Sequence, residues 1–145
     1  MLPPFADYCR YIAGLPDQFP SIQSSTLVAY TIGPFTAEVE GQLIFKDGYT
    51  LEVWELLDLS TGHIRSYSYD LNQAGERVWW YDPTEHPHHP HLQSSYPHHK
   101  HIQPDIKHHR IPAPELSFTE PNLAFLIQEV ENLSPTISEQ SENTG

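Results

Sequence analysis

Thr36-Ala37-Glu38-Val39-Glu40-Gly41-Gln42-Leu43-Ile44-Phe45-Lys46-Asp47-Gly48-Tyr49-Thr50-Leu51-Glu52-Val53-Trp54-Glu55-Leu56-Leu57 is the stretch that decides the fold. Ala37, Val39, Gly41, Leu43 and Phe45 alternate with Glu38, Glu40, Gln42, Ile44 and Lys46. A period of two is that of a strand with one buried face. Asp47-Gly48 separates this strand from a second, Tyr49 to Leu57. An Asp-Gly pair between two such runs predicts a tight hairpin, with positive φ at both positions.

Working outward, two aromatic strands follow, Ile64 to Leu71 and Glu76 to Asp82, joined by the turn-like Asn72-Gln73-Ala74-Gly75. On the other side, Phe5, Tyr8, Cys9 and Ile12 fall at helical spacing and Gly14 with Pro16 ends the pattern, which predicts a helix over 4–13. Prolines recur from Pro83 to Pro114 and remove ladder donors, so 83–114 reads as a Pro/His-rich loop. Thr119 as N-cap, Pro121 in the first turn and the stripe Leu123, Leu126, Ile127 and Val130 predict a closing helix. Residues 134–145 are polar, with Ile137 the one apolar exception, and read as a disordered tail. The expectation is a single α+β domain over 1–133. It is an antiparallel β-meander of about five strands, flanked by an N-terminal and a C-terminal helix.

A chain of 145 residues that is 38% hydrophobic supports one core. No run of ~18 apolar residues is present and the N-terminus lacks a signal-peptide pattern, so the expectation is a cytoplasmic protein without membrane contact. Cys9 is the sole cysteine, which excludes an intramolecular disulfide and a thiolate zinc cluster built from this chain. A net charge of −12 argues against general nucleic-acid affinity. The charge is uneven, however. Between His86 and Arg110, Lys100, Lys107 and Arg110 stand against Asp105, a net of +2, while the remainder carries −14. Nine of the ten histidines lie in that strip and can raise its charge further.

The strip reads His86-Pro87-His88-His89-Pro90-His91, then Pro97-His98-His99-Lys100-His101, then Lys107-His108-His109-Arg110. In polyproline geometry, His86 aligns with His89 and His88 with His91 at roughly 9 Å, too far for two ligands of one zinc. His98, His99 and His101 offer proton transfer, with Lys100 and Arg110 for the charge of a phosphorane-like transition state; these are the parts of a metal-independent ribonuclease that needs no cofactor. A second reading uses the same segment to bind zinc or another divalent ion. His99 and His101 share one side of an extended chain and would take a third ligand from His108, His109 or a sheet carboxylate. A third reading is a solvated arm that holds a partner without catalysis.

Two further features bear on substrate. Arg65, Tyr67 and Tyr69 share one parity in their strand, as do Arg77, Trp79 and Tyr81 in the next, so paired they would form an aromatic face for stacking bases, with arginines at its edge. The bland equivalent is aromatic packing beneath a helix. Glu55 shares parity with Leu51, Val53 and Leu57, and Asp82 precedes the histidines; both are candidate supporting carboxylates. No Gly-rich phosphate loop, nucleophile elbow or zinc-protease helix motif occurs.

Gly41, Phe45, Gly48, Leu51 and Glu55, then Tyr67-Ser68-Tyr69, then Tyr81-Asp82, a His-Pro stretch and Pro97-His98-His99-Lys100-His101 resemble the TumE-type toxins of bacterial and archaeal type II toxin–antitoxin pairs. The resemblance runs from about Thr36 to His101 and extends loosely into the C-terminal helix. It implies a growth-inhibiting protein neutralised by a helix-turn-helix antitoxin, with RNA or the translation machinery as target. It supplies no catalytic residues, so the site assignments above rest on physical argument. Self-association is left open.

Overall fold

The computed structural model describes residues 1–133, and the tail expected from Ser134 onward lies outside them. The chain runs α1 (Phe5–Ala13), α2 (Leu15–Gln18), β1 (Ile22–Ser25), β2 (Val28–Thr31), β3 (Thr36–Phe45), β4 (Tyr49–Asp58), β5 (His63–Gln73), β6 (Glu76–Asp82), β7 (His99–Ile102), β8 (Arg110–Pro112) and α3 (Leu123–Leu133). All pairings are antiparallel, in the order β1-β3-β4-β5-β6-β7-β8, with β2 also on β3. The α+β class holds; the count of about five strands does not, because the sheet has eight.

The additional strands come from two places. β1 and β2 share one edge of β3, and the chain passes between them across Gly41. A Cβ at Gly41 would lie 2.6 Å from the Thr26 carbonyl oxygen, and its φ is +136°; glycine is needed there for close approach. β7 and β8 lie within the stretch expected to be loop. Pro97, Pro104 and Pro112 fall at or beyond strand ends, so each strand keeps its donors. A 3₁₀ turn over Pro90–Ser95 precedes them, and the Ser95 hydroxyl ties it down by donating to the His98 carbonyl and accepting from the Ala113 N–H.

The turns also differ from expectation. At Asp47-Gly48 only Gly48 has positive φ (+97°), and its N–H donates to the Phe45 carbonyl, a type I turn closed by a left-handed glycine. Both-positive geometry occurs instead at Ala74 (+51°) and Gly75 (+81°). The last helix begins at Leu123, with Asn122 at its entrance: its side chain accepts from the Ser117 N–H and donates to the Tyr69 hydroxyl.

Because one face of an antiparallel sheet suffices for a core, the helices cover a single side. Tyr8 and Ile12 of α1 and Leu123, Leu126, Ile127 and Val130 of α3 pack with Val39, Leu43, Leu51, Leu71, Trp79 and Tyr81. The opposite, outer face carries a row of directly paired residues, Gln42, Glu52, Asp70, Trp80, His101 and Arg110, one from each of β3 to β8. The row is acidic at one end and basic at the other.

Candidate functional site

The basic end of the outer face is where the histidines converge. Asp82 lies directly opposite His99, and Trp80 opposite His101. Alternate strand residues face the same way, so Trp80, Asp82, His99 and His101 make one patch. Arg110, paired with His101 on β8, extends it. Asp82, His99 and His101 are buried, at 6, 1 and 3% exposure.

Their polar atoms meet at one point. His99 Nε2 is 3.1 Å from Asp82 Oδ1, His101 Nε2 is 3.2 Å from Asp82 Oδ2, and the two Nε2 atoms are 3.1 Å apart. The outer nitrogens are fixed by backbone: His99 Nδ1 lies 3.1 Å from the Pro97 carbonyl and His101 Nδ1 2.8 Å from that of Ile106. Asp82 also accepts the Thr84 N–H at 2.8 Å. Burial pushes the Asp82 carboxyl up, but with His101 and His99 protonated toward it their hydrogen bonds, together with that of Thr84, outweigh burial and hold it far below the usual carboxylate range.

Beside this group opens a cleft of about 400 Å³, lined by Arg77, Trp80, Asp82, His101, Lys107 and Arg110, with His86 and His108 also on its wall. The Trp80 ring stacks on His101 at 4.1 Å and carries the Arg77 guanidinium 5.0 Å from its centroid, so it positions both. Arg77 is further held by Asp70 at 2.8 Å. Arg110 lines the cleft, and its Nε is buried without a hydrogen-bond partner among the described residues.

The expected catalytic set is therefore divided by strand alternation. His101 and Arg110 line the cleft, and His99 lies behind His101 on the same face of the sheet. His98 and Lys100 are on the inner face: His98 Nδ1 is 2.6 Å from the Tyr67 hydroxyl with its ring against Phe118, and Lys100 pairs with Glu129 of α3. Burial, followed by the charge of His99, lowers the His98 pKa. Of the expected metal ligands, His99 and His101 converge, but His108 is exposed and paired with Asp105, and His109 is exposed. The third converging group is the sheet carboxylate Asp82.

The aromatic face is a correction as well. Tyr67, Tyr69, Trp79 and Tyr81 are 0–3% exposed, packed beneath the helices, with no surface for a base. A bulge between Ile64 and Ser66 turns Arg65 out to solvent, and one at Val78 moves Arg77 to the outer face with Trp80. Glu55 is fully buried and accepts from Tyr8 Oη at 2.6 Å and Tyr69 Oη at 2.5 Å, so it binds α1 to the sheet and touches no histidine. Trp80 and Lys107 are among the cleft residues the sequence reading missed. Their signal was present: Trp80 has the parity of Asp82, and Lys107 is one of three cations in the basic strip.

Among the described residues, no helix is long and apolar enough to cross a membrane. A family model described as Toxin TumE matches residues 12–134, whereas no curated protein and no solved structure matches the chain.

Proposed function

Because the chain belongs to the TumE family of toxins, we propose that it acts by cutting RNA, and that the cleft beside Asp82, His99 and His101 holds the scissile phosphate. The observation that carries this reading is the grouping of Arg110, Lys107 and Arg77 around one cleft. Three cations around one small cleft in a chain of net charge −12 support phosphodiester binding there.

Cleavage requires that a hydroxyl lose its proton and that charge on phosphorus be offset. Arg110 and Lys107 suit the second task. The first falls to the buried group, with His101 nearest the cleft and Asp82 and His99 behind it. A scheme with one imidazole as base and another as acid needs nitrogens on opposite sides of a phosphate. The two Nε2 atoms here face one another at 3.1 Å, so the group works as a unit.

A toxin of this kind has an antitoxin as partner. We further propose that this antitoxin is a basic helix-turn-helix protein, since the open part of the outer face presents Glu40, Glu52 and Asp70. The test of the cleft is RNA affinity in the double substitution K107A/R110A, measured by titration at several salt concentrations. The expected outcome is at least tenfold weaker binding with a shallower salt slope and an unchanged circular dichroism spectrum. Unchanged affinity would rule out the cleft as the phosphate site.

A further inference from the structure

We propose that Asp82, His99 and His101 bind one divalent first-row transition-metal ion. A carbonyl oxygen only accepts, so the carbonyls of Pro97 and Ile106 require the hydrogen on Nδ1 of His99 and of His101. A neutral imidazole has no second hydrogen, so both Nε2 atoms present lone pairs. These lone pairs face each other and face the Asp82 oxygens, all within 3.1–3.2 Å. Four acceptor atoms thus surround one point.

Protons alone do not resolve this. One added proton satisfies one ring and leaves the other ring's lone pair against the carboxylate. Two added protons place two imidazolium cations 3.1 Å apart in a buried site with one carboxylate between them, a net positive charge out of water. A divalent cation satisfies every acceptor at once. The spacing agrees: ligand bonds of about 2.0–2.1 Å put neighbouring ligand atoms about 3.0 Å apart at right-angled geometry and about 3.4 Å apart at tetrahedral geometry. The observed separations fall between these.

The surroundings match those of metal sites in general. Each ligating imidazole has its other nitrogen held by a backbone carbonyl, and the carboxylate is held by the Thr84 N–H. Two imidazoles and one carboxylate on one side of an ion leave positions open toward the cleft, the arrangement of a reactive rather than a closed structural site. Two imidazole nitrogens favour a transition ion over magnesium or calcium. The site stands on its own geometry. Its use on RNA rests on the ribonuclease reading; with the site filled, the ion would polarise the phosphate held by Arg110 and lower the pKa of the attacking hydroxyl, in place of a free imidazole base.

The experiment is metal titration of untagged protein with Zn²⁺ and Co²⁺, followed by calorimetry and by the Co²⁺ visible spectrum. One ion per chain is expected, with binding weakened at least tenfold in D82N, H99Q and H101Q and retained in H108A/H109A. Circular dichroism of each variant separates lost ligation from lost fold, and D82N, nearly isosteric, keeps the test open if the histidine variants unfold. No stoichiometric ion in the wild-type protein, or an ion retained in folded D82N and lost in H108A/H109A, overturns the site. RNA plays no part in the readout. A protein that binds the ion and leaves RNA intact keeps this site and sinks the ribonuclease reading.

Discussion

At the scale of single residues, burial and strand parity decide what a side chain does, and Glu55 shows it best. Its parity with Leu51 and Val53 puts it among core residues, and the structure supplies two tyrosine hydroxyls as donors. Burial raises its pKa above the ordinary 4.5, and the hydrogen bonds from Tyr69 and Tyr8 only partly offset this. The folded protein then holds the proton more tightly than the unfolded chain. Stability from the protonated form is complete below pH 4.5 and is lost as pH rises through the raised folded value. Urea unfolding of wild type and E55Q across pH should show the wild type losing stability relative to E55Q as pH rises above 4.5. A difference independent of pH would contradict a raised Glu55. Parity failed for Arg65 because it is itself the extra residue of a bulge, and for Arg77 because the bulge at Val78 reverses the face of the residues beyond it.

At the scale of elements, the hairpin core from Thr36 to Asp82 was legible because alternation and turn composition agree there. The β7–β8 pair was not. His99 to Ile102 and Arg110 to Pro112 are three or four residues each, flanked by prolines, and have too few apolar positions to show a period. Their pairing is set by tertiary contact with β6, which no local pattern reports. The turns supply an element-scale prediction. Ala74 has φ +51°, a conformation that costs an L-residue about 1 kcal/mol and that asparagine tolerates better. A74N should raise the urea midpoint by an amount corresponding to about 0.5–1 kcal/mol. A lower midpoint would show that Ala74 contributes something other than turn geometry.

At the scale of the whole molecule, the sheet has one face for its core and one that runs from acid to base. The sequence revealed the charge asymmetry and placed function in the histidine strip, but it could not show that alternation sends His99 and His101 to one side of the sheet and His98 and Lys100 to the other. That division is what makes the account testable. The central claim is that RNA is cut on the outer face, at the cleft beside Asp82. The direct measurement is the rate of RNA cleavage by the untagged protein and by H98A, H99A and H101A, each verified as folded. The account predicts loss of at least a hundredfold in H99A and H101A, with H98A within a few-fold of wild type. Loss in H98A with H101A still active would contradict it.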